Sequence, residues 1–326
     1  MVFQLPQDIR IGWIGLGEMG LGMATNLQKY LSSQSQQEYP LTVWNRSPGK
    51  SDPVEALGAN VAMSMEDLVS KSNVIFTSLS NDSAVASVYE TLFNLISRRQ
   101  ESITFVEVST IHPTTSSEIA ERLAAINVCS SGDPHRACHT YLQCPVFGRP
   151  PAAHAAELIW VASGLSEAID RLTPYFGSMS RKMIDLHTTN VGAASSFKLI
   201  GNFFVMGTIE LLAEGLNLSE RIDGIDSKAV LQFIEAYFPT PSWINYSQKM
   251  VDRSTTKDGG FTVNLAVKDV GHMRSLAASH QTSLPTADLA YRHLRNLQEE
   301  GKGNQDWSSL INVLREGPSP SSPCRE

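Results

Sequence analysis

The sequence predicts an α/β N-terminal domain built on a parallel sheet and an all-α C-terminal domain, joined by a long interdomain helix. Three observations support this fold class. From Ile9 to about Leu186, short apolar segments alternate with helical ones, an order typical of a parallel sheet covered by helices. The short segments are apolar at successive positions, as strands buried on both faces require. After Asn190 only helical patterns follow.

The element pattern also predicts where the domains divide. Strands are predicted over 11–16, 41–44, 74–78 and 103–108, and helices over 19–31, 83–92, 113–125, 166–176, 191–218, 227–236, 265–279, 285–299 and 308–314. Asp306 is expected to cap the last of these helices. We therefore expect the sheet domain to cover 1–188 and the helical domain 189–316. The proline- and serine-rich residues 317–326 are predicted to form a disordered tail.

Composition and charge narrow the function classes. The chain has 326 residues, of which 42% are hydrophobic and 18% charged, enough apolar material for two folded cores. A net charge of −7 argues against a nucleic-acid partner. The N-terminal segment lacks a secretory or transit pattern, so a cytoplasmic protein is predicted. The helix over 191–218 is apolar nearly all round, but Lys198, Asn202, Glu210 and Glu214 interrupt it and argue against a membrane span.

A segment rich in cysteine and histidine suggests a metal site at first sight. It contains Cys129, His135, Cys138 and His139. The spacings match no zinc arrangement, and four cysteines in the whole chain are too few for a disulfide framework. We predict no metal and interpret residues 129–141 as an inserted surface loop.

A glycine motif directly after the first predicted strand indicates a dinucleotide site. Gly15, Gly17 and Gly20 form GxGxxG, with Glu18 and Met19 at the start of the following helix. The first glycine allows a tight turn, the second lets the backbone approach a pyrophosphate, and the third lets helix and strand pack closely. A plain glycine turn is the alternative, but the position between strand and helix favours a Rossmann-type, cofactor-binding domain.

The end of the second predicted strand bears on which dinucleotide binds. An enzyme that uses NAD usually presents an acidic residue there to the ribose hydroxyls, whereas this chain has Asn45, Arg46 and Ser47. An arginine suits the 2′-phosphate of NADP, because its planar fork can bind the phosphate twice. The alternative is a solvated turn. We predict NADP (NADPH) as cofactor and NAD as the less favoured one.

A lysine in the long apolar helix is the candidate for proton transfer. Residues at helical spacing from Lys198 are small or apolar, apart from a serine and Asn202. Such a lysine must be paired, extend to solvent, or exchange a proton in a reaction. Spacing alone leaves the structural and the catalytic interpretation open.

The order of these motifs resembles the β-hydroxyacid dehydrogenase family, which includes 3-hydroxyisobutyrate and 6-phosphogluconate dehydrogenases, semialdehyde reductases and imine reductases. The resemblance covers nearly the whole chain. It rests on IGWIGLGEMG, WNRS, VEVSTIHP, CPVFGRP, SSFKLIGN and AVKDV, in this order. It implies a homodimer formed around the long helix, and a small, acidic substrate.

The resemblance also implies roles for single residues. Lys198 would be the general acid/base, Asn202 would contact substrate, and Lys268 would lie by the nicotinamide. Ser109 and Thr110 would contact substrate, and Thr110 the cofactor as well, although both could instead cap the next helix.

Two further groups of residues complete the predicted site. Leu79 and Ser80 follow a predicted strand, just as Ser109 and Thr110 do. They would flank the cofactor at the carboxyl edge of the sheet. The predicted substrate loop reads Phe147, Gly148, Arg149 where the family usually has a serine and two glycines. Arg149 could clamp a carboxylate or point to solvent. This departure puts 3-hydroxyisobutyrate itself in doubt as the substrate.

The predicted activity is reversible hydride transfer between nicotinamide and a carbonyl or alcohol carbon. One alternative is an imine reductase on the same fold, which Lys198 argues against because many imine reductases have another residue there. The other alternative is a protein that binds NADP without catalysis, since a fold alone does not determine activity.

Overall fold

Two compact units make up the chain. The computed structural model describes residues 8–34, 39–97, 99–130, 138–256 and 261–317. Contacts divide the chain into Met1–Lys198 and Leu199–Glu326. The division falls inside one long helix, ten residues after the predicted boundary at 188. Residues 318–326 of the predicted tail lie outside the described part of the chain.

The first unit alternates strands and helices. Six of its strands form a parallel sheet in the order β3-β2-β1-β4-β5-β6. This order reverses direction between β1 and β4, which is where doubly wound sheets bind dinucleotides. The predicted Rossmann-type fold is therefore confirmed. In chain order the elements are β1 (Ile11–Ile14), α1 (Glu18–Ser33), β2 (Thr42–Trp44), α2 (Asp52–Glu55), β3 (Asn60–Val61), α3 (Met65–Lys71), β4 (Val74–Thr77), α4 (Asp82–Ile96), β5 (Thr104–Glu107), α5 (Pro113–Ser130), β6 (Thr140–Gln143), β7 (Val146–Phe147), α6 (Pro150–His154), β8 (Leu158–Ala162), α7 (Ser166–Gly177) and β9 (Ser180–Asp185).

Large aromatic side chains pack in the core of the sheet domain. Trp13 on β1 stacks on Phe76 of β4 with ring centroids 5.1 Å apart, and Trp160 and Phe176 contact each other at 5.0 Å. All four side chains are fully buried. Strands β1, β4 and β5 are buried along their whole length, so the loops at their carboxyl ends start from the packed core.

The prediction of a surface loop over 129–141 is wrong at both of its ends. Helix α5 continues through Ser130, five residues beyond its predicted end, and β6 begins at Thr140. His139 is buried, and its Nδ1 accepts a hydrogen bond from the backbone N–H of Ile103 at 3.1 Å. His139 therefore packs against the sheet and does not lie in a surface loop. Residues 131–137, including His135, lie outside the described part.

A second, three-stranded sheet follows, and the sequence pattern did not predict it. Strand β7 pairs antiparallel with β8, and β8 pairs parallel with β9. Strand β7 has only two residues, and β9 is partly exposed along its whole length. Neither gives the continuous apolar run that marks a buried parallel strand.

The second unit is helical, as predicted. Its core is formed by one face of each helix. Asp306 caps the final segment by accepting from the backbone N–H of Ser308 at 3.0 Å, which confirms the predicted cap. The elements are α8 (Gly192–Ser219), which begins in the first unit, α9 (Ser227–Tyr237), α10 (Pro241–Val251), α11 (Val263–Ser279), α12 (Pro285–Glu299), a 3-10 helix (Trp307–Leu310) and α13 (Ile311–Glu316).

The start of the long helix α8 is anchored in the first unit. The Ser163 hydroxyl donates to the carbonyl of Val191 at 2.8 Å and accepts from the N–H of Ala194 at 3.2 Å. Among the helices of the described residues, α8 alone is long and apolar enough to cross a membrane, and 44% of its most apolar window is buried. The core helix of a soluble protein has the same composition.

Candidate active site

The glycine motif has the geometry of a phosphate-binding loop. Gly15 has φ +96°, and a Cβ there would lie 2.2 Å from the carbonyl oxygen of Ser78. A Cβ on Gly20 would lie equally close to the carbonyl oxygen of Gly15. A Cβ on Gly17, the N-cap of α1, would meet open space. The first and third glycines are thus required by packing, whereas the second leaves the helix start open to an anion.

Side chains from β1 and β2 hold this loop in place. The indole N–H of Trp13 donates to the carbonyl of Gly15 at 3.0 Å. The backbone N–H of Leu16 donates to Asn45 Oδ1 at 2.9 Å. Asn45 therefore contacts the glycine loop directly, which spacing had not indicated. This contact brings the turn after β2 beside the loop.

That turn presents a positive charge to solvent. Arg46 and Ser47 are exposed, as is Lys50. Asn45 Nδ2 donates to the carbonyl of Ser47 at 2.9 Å and so fixes the backbone next to the arginine. The guanidinium can reach an anionic group lying outside the end of β2. The acidic side chain typical of NAD enzymes is absent from the turn.

The loops after β4 and β5 are joined by a hydrogen bond. The backbone N–H of Leu79 donates to Ser109 Oγ at 2.7 Å. Ser109 is buried, Leu79 and Thr110 are half-buried, and Ser80 is exposed. The Ser109 hydroxyl accepts in this contact, and its side chain also hydrogen-bonds the carboxyl group of Glu107. The four predicted residues lie together at the carboxyl edge of the sheet.

A buried carboxyl group lies beneath these loops. Glu107 accepts from Thr77 Oγ1 and from the backbone N–H of Ser109, each at 2.6 Å. Burial raises the pKa of Glu107 to about 7, although the hydrogen bonds from Ser109 and Thr77 act in the opposite direction. The groups facing the carboxyl include the hydroxyls of Tyr89 and Tyr141. No role was predicted for Glu107 from the sequence, and its place in this network was missed.

The predicted substrate loop is shaped by packing. Gly148 has φ +140°, and a Cβ there would lie 2.5 Å from Leu158 Cδ2, so a glycine is required whatever the ligand. Arg149 is half-buried and is the N-cap residue of α6. Phe147 precedes this turn at the end of β7.

Lys198 lies on α8 with only 7% of its surface exposed. Its Nζ lies 4.2 Å from the centroid of the Phe147 ring, a cation–π contact. The Phe147 ring in turn meets Phe197 edge-on, with centroids 6.3 Å apart. The ammonium is therefore held against an aromatic face in a largely water-excluded environment.

In the second unit, Asn202 and Lys268 share one carboxylate. Asn202 Nδ2 donates to Asp269 Oδ2 at 2.7 Å, and Lys268 Nζ lies 3.0 Å from Asp269 Oδ1. All but 1% of the Asp269 surface is buried. Asp269 fixes which way the Asn202 amide faces. Sequence reasoning missed Asp269, although an acid directly after a lysine on an apolar helix was the available signal.

The described residues contain no group of three or more His, Cys, Asp or Glu side chains that could hold a metal ion. Cys144 is buried, and burial raises the pKa of its thiol well above the ordinary value. Cys138 is half-buried and free. The side chain of Cys129, and all of His135 and Cys324, lie outside the described part.

Comparison with known proteins agrees with the fold and the loop geometry. Residues 10–190 match the family described as the NAD binding domain of 6-phosphogluconate dehydrogenase. Residues 192–314 match the family described as NAD-binding of NADP-dependent 3-hydroxyisobutyrate dehydrogenase. Together these two matches cover both units of the chain.

Individual relatives match over almost their full lengths. An NADH-dependent oxidoreductase, ucdB, of Aspergillus ustus is 30% identical, covering 91% of this chain and 96% of its own. The mitochondrial 3-hydroxyisobutyrate dehydrogenase of Rattus norvegicus is 26% identical, covering 94% of this chain and 87% of its own.

Solved structures share the fold. A 3-hydroxyisobutyrate dehydrogenase of Salmonella typhimurium has a TM-score of 0.76 at 24% identity, covering 94% of this chain and 99% of its own. A reductive aminase of Aspergillus terreus has a TM-score of 0.52 at 20% identity, covering 95% and 100%. On the two family matches and the full-length relatives, this chain belongs to the β-hydroxyacid dehydrogenase family of NAD(P)-binding oxidoreductases.

Proposed function

We propose that this chain is an NADP-dependent oxidoreductase that interconverts a carbonyl and an alcohol in a small, acidic substrate, with Lys198 as general acid/base. The observation that carries the proposal is the buried Lys198 ammonium in a chain whose first unit has an open phosphate-binding loop. When bound, the nicotinamide supplies or accepts the hydride. The protein supplies the proton, the orientation and a site with little water.

The residues proposed to hold the cofactor come from four loops and from helix α11. The helix start at Gly17, Glu18 and Met19 would receive the pyrophosphate, next to Gly15 and Gly20. The others are Asn45, Arg46, Ser47, Leu79, Ser80, Thr110 and Lys268. Exposure of Arg46 beside the glycine loop supports recognition of a 2′-phosphate. The name of the A. ustus relative, NADH-dependent, favours the opposite preference, so cofactor choice needs a direct measurement.

Lys198 can carry a proton in both directions. In reduction its ammonium would donate a proton to the oxygen that becomes an alkoxide as the carbonyl carbon receives a hydride. In oxidation its neutral amine would take the alcohol proton while the carbon loses the hydride. Burial and the aromatic contact orient the Nζ for this exchange.

Polar groups on several elements are proposed as substrate ligands. Ser109, held between Leu79 and Glu107, is one proposed contact, and Asn202 offers an amide oriented by Asp269. Thr110, Gly148 and Arg149 complete the proposed set. Arg149 is the group that fits a substrate carboxylate, through a paired hydrogen bond.

The test is turnover of small oxo acids, semialdehydes and ketones with NADPH by the wild type, Lys198→Ala and Lys198→Arg. Both variants should lose turnover by about 100-fold or more, because alanine has no proton to give and arginine does not release one. Their affinity for NADPH should change by less than about threefold, since the lysine serves proton transfer. Undiminished turnover in Lys198→Ala would contradict the proposed role.

An imine reductase is the second candidate, because a reductive aminase shares the fold. It would need an amine beside the ketone. Supplying each ketone with and without an amine separates the two: product only when amine is present supports the imine reductase, and alcohol formed without amine supports the dehydrogenase. Binding of NADPH with no turnover on the whole panel supports a non-catalytic binding protein.

We further propose a cytoplasmic homodimer. Four large side chains on α8 are more than half exposed and recur at spacings of four, seven and seven residues, so they form one apolar stripe: Ile200, Phe204, Leu211 and Leu218. A second copy of the chain packing along this stripe would remove it from water. The neighbouring helix α9 adds two exposed rings, Phe233 and Tyr237.

A further inference from the structure

The contact between Lys198 and Phe147 joins two elements that are each fixed independently. Phe147 is on β7, paired with Ile159 of β8 in the second sheet. Lys198 is on α8, whose start is anchored by the two hydrogen bonds of Ser163. The lysine lies within the first two turns after that anchor. A long flexible side chain therefore meets a ring whose position the sheet determines.

The chain around Phe147 gives the ring little freedom. The following Gly148 has φ +140° and lies next to Leu158, and Phe197 packs against the ring in an edge-to-face arrangement. The Lys198 ammonium lies over a face of the ring, with Nζ 4.2 Å from the centroid. An ammonium over an aromatic face is attracted by the negative charge density of the ring, and the attraction grows when water is excluded. A neutral amine gains no such attraction.

We propose that Phe147 is a positioning residue for Lys198, whose ring holds the ammonium in place and favours the charged form over the neutral amine. This inference rests on the proposed function, because it assumes that Lys198 is the acid/base. It gives a role to Phe147, the residue of the predicted substrate loop whose ring contacts Lys198. As a consequence, the ring stabilises the charged form of Lys198 in the free enzyme. This form is the proton donor in reduction.

The state of Lys198 can be followed without any substrate. Acetic anhydride labels only neutral amines, so the extent of labelling of the Lys198 peptide against pH, measured by mass spectrometry, gives the pH at which half of the lysine is neutral. Phe147→Leu removes the aromatic face but keeps an apolar side chain, and Phe147→Tyr keeps the face. The midpoint in Phe147→Leu should fall by about half a pH unit, whereas Phe147→Tyr should match the wild type.

Turnover supplies the second measurement once a substrate is found. Phe147→Leu should lower kcat in the reductive direction several-fold and leave the KM for cofactor unchanged. The basic limb of the kcat–pH profile should move to lower pH. A residue that only fills space would lower thermal stability without moving the labelling midpoint. An unmoved midpoint in a folded Phe147→Leu protein would overturn the inference. If Lys198→Ala retains turnover, the proposed function fails instead, whatever the labelling midpoints show.

Discussion

At the scale of single residues, buried polar groups determine where the site loops lie. The Glu107 carboxyl accepts hydrogen bonds from Thr77 Oγ1 and from the backbone N–H of Ser109, each at 2.6 Å. Ser109 Oγ in turn accepts from the backbone N–H of Leu79. Gln143 adds a contact from its Nε2 to the carbonyl of Ser109 at 3.2 Å. The carboxyl ends of β4, β5 and β6 are therefore joined by side chains below the proposed ligand contacts.

Glu107 also makes stability depend on pH. Its pKa is raised from 4.5 to about 7, so between these values the folded state binds more protons than the unfolded state, and stability falls as pH rises. Glu107→Gln keeps an acceptor for Ser109 and a donor for Thr77 but does not titrate. The variant should therefore gain stability relative to the wild type from pH 5 to pH 7.5, by on the order of 2 kcal/mol. Urea unfolding at the two pH values measures the gain.

A titrating histidine must be separated from this effect. Burial lowers the pKa of His139 to about 4, so its neutral form contributes stability that is lost as pH falls from 6.5 toward 4. This slope has the opposite sign. Because His139 is present in both proteins, the difference between Glu107→Gln and the wild type cancels it. An equal difference at the two pH values would show that Glu107 does not titrate in this range.

Which of these residues the sequence could reveal depends on the kind of evidence. The roles of Gly15, Gly17 and Gly20 could be predicted from the sequence, because the motif reflects local requirements of the backbone: no room for a Cβ at the first and third glycines, and open space at the second. The hydrogen bonds of Asn45, Glu107 and Asp269 were not readable, because each joins residues far apart in the chain. An acidic residue within an apolar run was the only signal for Glu107.

At the scale of elements, the exposed stripe on α8 leads to a prediction about assembly. Replacing Phe204 and Leu211 with glutamate places two charges in the proposed interface, where burying them is costly. The wild type should elute as a dimer and the double variant as a monomer in size-exclusion chromatography with light scattering. Both proteins should keep the same helix content by circular dichroism.

A matched control comes from another exposed apolar residue. Val128 on α5 is 69% exposed, so Val128→Glu adds a charge to a different surface and should leave the dimer intact. A monomeric wild type at micromolar concentration, or a double variant that remains dimeric, would contradict the role assigned to the stripe.

The elements divide into those that the pattern predicts and those that it does not. Strands β1, β2, β4 and β5 and most long helices were predicted within a few residues, because continuous apolar runs and helical periodicity mark them. Helices α2, α3, α6 and α10 and strands β3 and β6 to β9 were missed. Strands β3 and β7 have two residues each, and β6 and β9 are partly polar, whereas β8 was missed although it is a continuous apolar run.

At the scale of the whole molecule, each unit contains its own group of predicted ligand-binding residues. The first unit holds the glycine loop, the turn with Arg46 and the lysine against its ring. The second unit holds the pair fixed by Asp269. The two family matches divide the chain in a similar place, because one ends at residue 190 and the other begins at residue 192.

The most direct test of an NADP-dependent oxidoreductase is fluorescence titration of the purified protein with NADPH and NADH, for the wild type, Arg46→Ala and Arg181→Ala. Arg181 is an exposed arginine on β9, so its removal changes net charge equally. We predict NADPH binding tighter than NADH by about tenfold or more, a gap of about 1.4 kcal/mol. Arg46→Ala should abolish this gap and Arg181→Ala should keep it. Tighter binding of NADH, or an unchanged preference in Arg46→Ala, would contradict the NADP assignment.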